Sequence, residues 1–258
     1  MKYLSVEQGI ALPGLRLVLT RGVPGPWGEL AKAILHVKGL PYAAVAQEAG
    51  AHDAALRRWT GAANAPTAVW NDEPARIDRA GILFLAERLA PEPALLPKDP
   101  RERALCLGFA DAIAGESGFG WSRRLMMIEL MMKAKSLPEP TRALRDTLAW
   151  RYGWSAEASA SAPARCAEVL ALLAGQLHAQ TARGSRYLVG DALSVADLTW
   201  ATFAVLVRPL PADLCPMPAQ TRAMYEMKHP AIEAALDPAL LAHRDFVYER
   251  HLVLPIDC

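Results

Sequence analysis

Cysteine and histidine side chains carry much of the chemistry of proteins, but their spacing in this sequence offers neither a metal site nor a redox centre. The four cysteines, Cys106, Cys166, Cys215 and Cys258, lie far apart, and no two of them form a C-x-x-C pair. This spacing argues against a zinc site, a dithiol centre and a disulfide framework. No histidine is followed by a second histidine or a cysteine four residues later. We therefore expect no bound metal and no catalytic histidine.

The composition excludes several further classes of protein. The 258 residues carry 28 basic and 27 acidic side chains, and this balance gives no electrostatic footprint for nucleic acid or for an anionic membrane. No apolar run reaches the roughly 20 residues that span a bilayer. The first residues lack the basic start and apolar core of a secretory signal. With 52% hydrophobic residues, the chain is expected to be globular, and its 258 residues are enough for two domains. A cytoplasmic protein is expected.

The first third of the chain alternates between strand and helix patterns. Short apolar runs predict strands, and apolar residues at helical spacing predict helices. The predicted order is strand 15–19, helix 27–38, strand 41–46, a weak helix 52–59, strand 66–70, a very short strand 76–77, and helix 78–89. This order, β-α-β followed by a linking helix and β-β-α, is the thioredoxin-like arrangement. Pro66 could be a trans proline at a strand edge or the cis proline of that fold, and the spacing alone leaves both open.

A proline-rich link over 92–100 separates this part from a region of helices. We predict domains over 1–91 and 101–258, the first α/β and thioredoxin-like and the second an all-α helical bundle. The expected helices are 101–115, 121–135, 141–152, 163–182, 194–207, 219–226 and 230–236. The small, polar stretch 155–164 is expected to connect two helices, and the tail 240–258 receives no assignment.

The helix over 194–207 is apolar on almost every side and should therefore be buried. Its start contains a capping box, in which Ser194 and Asp197 satisfy each other's backbone donors. The phrase around it has an aromatic residue, an apolar pair, Gly-Asp, a short spacer and S-x-A-D, and it resembles the folding module of the soluble glutathione transferases. The segment WGELAKAILHVKGLPY from Trp27 to Tyr42, the Asn64-Ala65-Pro66 sequence and the helix from Arg79 resemble the same family.

The resemblance implies that glutathione lies across the first domain. Ala65 would hold its cysteinyl backbone through main-chain bonds next to a cis Pro66. Asp78 would pair with the γ-glutamyl ammonium group, or act only as a helix cap. Arg79 would bind the γ-glutamyl carboxylate, or be a solvated surface residue.

The thiol site departs from the family pattern. Glutathione transferases activate the thiol with a Tyr, Ser or Cys near the first helix, and the stretch 20–28 has none. Thr20 is the hydroxyl nearest to this position and is the candidate catalytic residue, although it could be a structural strand residue. The N–H groups near Trp27 and Gly28, or the Arg21 charge, could stabilise a thiolate instead.

The resemblance also implies an acceptor pocket, a homodimer and a choice of functions. Phe119, Trp121, Arg123 and Arg124 are expected to face a cleft, whereas the nearby methionines are expected in the core. The chain is predicted to be a glutathione transferase with glutathione as co-substrate and a small electrophilic or apolar acceptor. The alternative is a glutathione-binding or assembly protein of the same fold with little or no catalysis.

Overall fold

A short mixed sheet lies at the centre of the first of two units in the computed structural model, which describes residues 1–51 and 53–258. The strands are β1 (Leu15–Thr20), β2 (Ala43–Gln47) and β3 (Thr67–Trp70), in the order β2-β1-β3. Strand β1 is parallel to β2 and antiparallel to β3. Leu17 and Val18 are completely buried because β1 is the central strand.

Four helices surround this sheet. They are α1 (Val6–Ile10), α2 (Pro26–Val37), α3 (Ala54–Thr60) and α4 (Arg79–Leu89). The predicted thioredoxin-like order is confirmed, but α1 was not predicted. The expected strand 76–77 is reduced to a single antiparallel bridge between Ala68 and Arg76. His52, the expected first residue of the third helix, lies outside the described residues.

The second unit consists of helices. They are α5 (Pro100–Ala114), α6 (Phe119–Lys133), α7 (Glu139–Arg151), α8 (Ala156–Ala182), α9 (Val195–Phe203), α10 (Ala219–Tyr225), α11 (Pro230–Ala235) and α12 (Pro238–His251). The first unit comprises Met1–Leu95, Leu210–Pro218 and Glu249–Cys258, and the second comprises Leu96–Pro209 and Ala219–Tyr248. The tail 240–258, which received no assignment from the sequence, forms most of α12. Its residues from Glu249 onward belong to the first unit.

The expectation of a connection over 155–164 is wrong, because this stretch forms the start of the long helix α8. Ser155 caps the helix, and its hydroxyl accepts a hydrogen bond from the Ala158 amide at 3.0 Å. The alanines that follow have the highest helix propensity, and this outweighs the serines and the internal Pro163. The predicted helix 194–207 ends in a tighter 3-10 turn at Ala204–Leu206.

The capping box at α9 is confirmed, and its carboxylate binds more groups than the box requires. Asp197 is completely buried, and it accepts hydrogen bonds from the Ser194 amide at 2.8 Å and the Ser194 hydroxyl at 2.7 Å. The Leu188 amide donates to its other oxygen at 2.7 Å. His243 Nε2 lies 3.0 Å from that oxygen, without hydrogen-bond alignment. One carboxylate therefore ties together a loop, a helix start and α12.

Close packing of α6 against α9 depends on a glycine. A Cβ atom on Gly120 would lie 2.4 Å from Phe203 Cε1, which is too close for any side chain. Trp200, on the same buried helix, donates its indole N–H to the Leu240 carbonyl at 2.8 Å.

Replacing Asp197 with Ala should lower the free energy of unfolding by about 3 kcal/mol or more, because several buried donors lose their acceptor together. Urea unfolding followed by circular dichroism measures this change. Asp191→Ala is the matched control, since Asp191 lies in the exposed turn just before α9. It should change the stability by less than about 0.5 kcal/mol. Equal losses in the two variants would contradict the central role of the buried carboxylate.

Candidate functional site

The N-terminus of α2 has no side-chain cap. Gly25 occupies the N-cap position and Pro26 the first helical position, and the first intrahelical bond runs from the Glu29 amide to the Gly25 carbonyl at 2.9 Å. The first amides of an α-helix have no carbonyl one turn earlier in the helix to bind, and the helix dipole makes this end partly positive. Gly28 also keeps the helix close to the sheet, since a Cβ there would lie 3.3 Å from Leu19 Cδ2. This end is chemically suited to an anion.

Thr20 is the last residue of β1, and its hydroxyl proton is already engaged. Its Oγ1 donates to Gln47 Oε1 at 2.7 Å, in the parallel pair that places Thr20 opposite Gln47. Gln47 is buried, and its Nε2 faces the Ala63 carbonyl at 3.5 Å, which orients the amide. Thr20 can therefore accept a hydrogen bond but has no second proton to give to a thiolate. Sequence reasoning missed Gln47, although the register of two parallel strands could have indicated it.

Arg21 follows Thr20 and is paired with an acid. Its Nη2 lies 2.5 Å from Glu48 Oε1, and both side chains are more than half exposed. The Arg21 amide donates to the Gln47 carbonyl at 3.1 Å. An exposed ion pair contributes little energy, and the partner carboxylate cancels much of the field of the cation. The Arg21 charge is thus a weaker source of anion stabilisation than the end of α2.

The Ala65–Pro66 peptide bond is cis, as the resemblance to the glutathione transferases implied. Pro66 is buried, and Ala65 is partly buried against the apolar residues of the sheet. The turn is fixed by two bonds of Asn64, whose carbonyl accepts from the Thr67 hydroxyl at 3.1 Å and whose Nδ2 donates to the Ile77 carbonyl at 3.1 Å. The main chain of Ala65 is therefore held rigidly in front of β3.

Asp78 is the N-cap of α4, and Arg79 is the first residue of that helix. Asp78 Oδ1 accepts a hydrogen bond from the Gly81 amide at 2.8 Å, so the capping role is confirmed. The Asp78 side chain is nevertheless exposed, and a carboxylate can accept further bonds through its second oxygen. Arg79 is partly exposed beside it.

Two of the side chains expected to face a cleft are in the core of the helical unit. Phe119 is completely buried, with its ring edge-on to Trp200 at a centroid distance of 5.8 Å. Arg123 is also completely buried and donates to the carbonyls of Leu206, Tyr225 and Met227 at 2.8, 3.2 and 3.0 Å. Burial lowers the pKa of Arg123. The expected exposure is wrong for both residues, because their side chains complete the packing of α6 within the helical unit.

Trp121 and Arg124 lie together with Tyr152 in the same unit. Trp121 Nε1 donates to the Tyr152 carbonyl at 3.0 Å, and the two rings lie 4.5 Å apart. The Arg124 guanidinium carbon lies 5.9 Å from the centre of the Tyr152 ring. Burial opposes the charge of Arg124, but the phenols of Tyr225 and Tyr152 outweigh it and raise the pKa of Arg124. These partly buried groups combine an aromatic surface with a cation.

Two properties of the described chain bear on the class of site. The cysteine, histidine and acidic side chains in residues 1–51 and 53–258 form no group of three or more that could hold a metal ion. In the same residues, no helix has both the length and the apolar composition needed to cross a lipid bilayer.

Solved structures resemble this chain over most of its length. An omega-class glutathione transferase from Trametes versicolor aligns with 95% of this chain and 84% of its own, at 19% identity and a TM-score of 0.58. The chain has the glutathione transferase fold. A glutathione transferase from Methylobacterium radiotolerans, in complex with glutathione sulfonate, aligns with 92% of this chain and 91% of its own, at 19% identity and a TM-score of 0.58.

A rice glutathione transferase in complex with glutathione aligns with 93% of this chain and 92% of its own, at 17% identity and a TM-score of 0.58. No family model matches the sequence. No curated protein matches it by sequence either. The glutathione transferase fold is thus recognisable in the path of the backbone, whereas the side chains at its functional positions have to be assessed one by one.

The Thr20–Gln47 pair can be tested through stability, independently of any ligand. Thr20→Val should lower the free energy of unfolding by about 1–2 kcal/mol, because the buried Gln47 oxygen loses its donor. A double-mutant cycle with Gln47→Leu should give an interaction energy of about 1 kcal/mol, measured by urea unfolding. Thr20→Ser, which keeps the hydroxyl, is the control. Strictly additive losses would show that the two side chains are not coupled.

Proposed function

We propose that this protein binds glutathione along its first unit and transfers the thiol to a small electrophilic acceptor. The observation that carries the proposal is the uncapped N-terminus of α2 in the same unit as a cis Ala65–Pro66 bond. Such a helix end suits an anionic sulfur. The turn before a cis proline exposes main-chain groups that can pair with an extended peptide. Two of the structures with this fold were solved with glutathione or glutathione sulfonate, which supports the same ligand here.

The amides near Trp27 and Gly28 are proposed to hold the thiolate. A helix N-terminus can stabilise a negative charge by up to about 2 kcal/mol in a partly buried site. One pKa unit corresponds to about 1.4 kcal/mol, so this end alone would lower the pKa of a bound thiol by roughly one unit. Thr20 is proposed to have at most an assisting role, because its proton is given to Gln47.

Asp78 and Arg79 are proposed to bind the γ-glutamyl end. The Asp78 oxygen that does not cap α4 would pair with the ammonium group, and Arg79 would pair with the carboxylate. Ala65 would bind the cysteinyl main chain, and Pro66 would fix its orientation. No side-chain chemistry is required of Ala65, which agrees with its small size.

The proposed reaction is a nucleophilic displacement or addition. The thiol loses its proton to solvent, and the thiolate sulfur uses an electron pair to form a bond with an electrophilic carbon. In a displacement, the leaving group departs with the electrons of the broken bond. Trp121 and Arg124 are proposed to contact the acceptor, since they provide an aromatic face and a cation. Phe119 would support this surface from the core.

The second candidate function is a binding or assembly protein that uses this fold with little or no catalysis. The specific observation in its favour is that the stretch 20–28 offers no Tyr, Ser or Cys and that the Thr20 proton is engaged. A conjugation assay over a panel of electrophiles separates the two functions. Turnover above the uncatalysed rate favours the enzyme, and glutathione binding without turnover favours the alternative.

We further propose a cytoplasmic homodimer with functional domains over 1–91 and 101–258. The helix α4 carries an exposed Phe84, and Ile77 just before it is exposed as well, so this face is a candidate for the symmetric contact. Sedimentation at micromolar concentration should give twice the chain mass of 28.0 kDa. A mass equal to that of one chain would reject the dimer.

Arg79→Gln should weaken glutathione binding about tenfold, because the loss of a charge-assisted pair costs roughly 1.4 kcal/mol or more. The same variant should not weaken binding of cysteinylglycine, which lacks the γ-glutamyl group. Calorimetry measures both affinities, and Arg101→Gln is the control because Arg101 is exposed on α5. Absence of binding heat for the unaltered protein with millimolar glutathione would reject the proposed function.

Thr20→Val should reduce the rate of conjugation by less than about fivefold and leave its pH profile unmoved, since the helix end supplies the main stabilisation. Thr20→Ser should retain the rate of the unaltered protein. Initial rates between pH 5.5 and 9 provide the measurement. If Thr20→Val lost nearly all turnover while the pKa of the bound thiol rose, Thr20 would be the thiol-activating residue, and the assignment to the helix end would be wrong.

A further inference from the structure

Residues 252–258, here called the strap, follow α12 and belong to the first unit. Ile256 is buried, and its amide donates to the Leu214 carbonyl at 2.8 Å. The ammonium group of Lys32, on helix α2, donates to the main-chain carbonyl of Asp257. The strap is therefore anchored by an apolar side chain, by its own backbone, and by a cation on the helix that carries the proposed thiolate site.

The strap covers an ion pair at the start of α2. Lys32 Nζ lies 2.9 Å from Glu29 Oε1, and the two side chains are only 15% and 12% exposed. Cys258 Sγ, at the end of the strap, lies 4.0 Å from the same Glu29 oxygen. Burial raises the pKa of Glu29, and the Lys32 ammonium opposes that rise. The largely buried Glu29 carboxylate needs Lys32 beside it, because burying a carboxylate without a partner costs free energy.

Three weak acids that face Glu29 are kept in their neutral form by burial. Burial raises the pKa of Tyr42 to about 12, with a contribution from the Glu29 charge. Burial likewise raises the pKa of Tyr3 to about 12, with smaller contributions from Cys258 and Glu29. The pKa of Cys258 is also raised to about 12, first by burial and then by Glu29. The Asp257 carboxylate adds to the rise at Glu29, whereas Lys32 opposes it.

We propose that the strap is a positioning element for helix α2, which holds Lys32 on Glu29 and so keeps the partial positive charge of the helix N-terminus available to a bound anion. Glu29 lies in the first turn of α2. An unbalanced carboxylate there interacts favourably with the positive helix end and repels a second anion. With Lys32 beside it, the pair has no net charge.

The consequence for catalysis rests on the proposed function, because it concerns a glutathione thiolate at that helix end. Release of the strap would hydrate Glu29 and free Lys32 to move into solvent. Lys32 would no longer neutralise the carboxylate, which would act on a bound anion as a net negative charge. The pKa of the bound thiol would rise, and less of it would be thiolate at neutral pH.

The strap can be released by placing a charge at its buried anchor. Ile256→Glu should make exchange of the amides at 27–33 about tenfold faster or more, measured by hydrogen–deuterium exchange and mass spectrometry. Val253→Glu is the matched control in the same segment, because Val253 is 61% exposed and should leave this exchange unchanged. Ile256→Val should retain the exchange rate of the unaltered protein. Equal exchange in Ile256→Glu and Val253→Glu would overturn the proposal.

A second measurement separates positioning from simple support of the fold. Titration of the thiolate absorbance of bound glutathione should show a pKa higher by about half a unit or more in Ile256→Glu. Adding Glu29→Gln to that variant should restore the lower value, since no carboxylate charge remains. Lys32→Gln, which leaves the buried Ile256 anchor in place, should raise the thiol pKa, and this provides a test if Ile256→Glu does not fold.

Faster exchange in Ile256→Glu with an unchanged thiol pKa would show that the strap only supports the fold, and this would overturn the proposal. Failure of the unaltered protein to bind glutathione would instead overturn the proposed function. In that case the exchange measurement alone decides whether the strap holds the helix.

Discussion

The helical unit is organised around one negative charge that is fully removed from water. The Asp197 carboxylate binds the amides of Leu188 and Ser194 and the Ser194 hydroxyl, and it lies next to His243. A buried carboxylate is costly unless donors surround it, so these groups must be assembled before the central helix can be buried. The constraint fixes the entry of α9 and the loop before it, and His243 of α12 lies beside the same carboxylate. The packing of Trp200 and Phe203 follows from that entry.

The proposed thiol site depends on a different kind of electrostatics. Its positive character comes from backbone amides at the start of α2 rather than from a side chain. Gly25, Pro26 and Gly28 have no side-chain acceptor, so none of them caps the helix. The neighbouring hydroxyl of Thr20 is turned to Gln47. The chain thus has the backbone of a glutathione transferase fold, and the proposal assigns the stabilisation of the thiolate to the helix end. An enzyme built this way would be slow compared with one that adds a phenol or hydroxyl donor to the same helix end.

Several cationic side chains in this protein donate hydrogen bonds to main-chain carbonyls and so stabilise the fold. Arg123 uses its donors on three main-chain carbonyls, and Arg16 donates to the carbonyls of Gly14 and Asn71 at 2.7 Å each. A guanidinium group is suited to this role, because its several donors satisfy carbonyls that the ends of helices and strands leave open. Lys32 belongs to the same class, although its position on α2 gives it a possible effect on chemistry. A basic residue in an aromatic stretch is therefore weak evidence for a pocket.

By itself, the sequence determined the capped helix at Ser194 and, apart from α1, the order of strands and helices in the first unit. These features depend on local periodicity, on turn chemistry and on hydrogen bonds between residues close in the chain. The tertiary structure decided that Arg123 and Phe119 are buried, that Gln47 takes the Thr20 proton, and that the residues after α12 lie on α2. It also decided that 155–164 is helical, with Ser159 and Ala162 buried in the helical unit. Contacts between residues far apart in the chain fix these outcomes. No pattern within a short window specifies which distant carbonyl, amide or helix a side chain will meet.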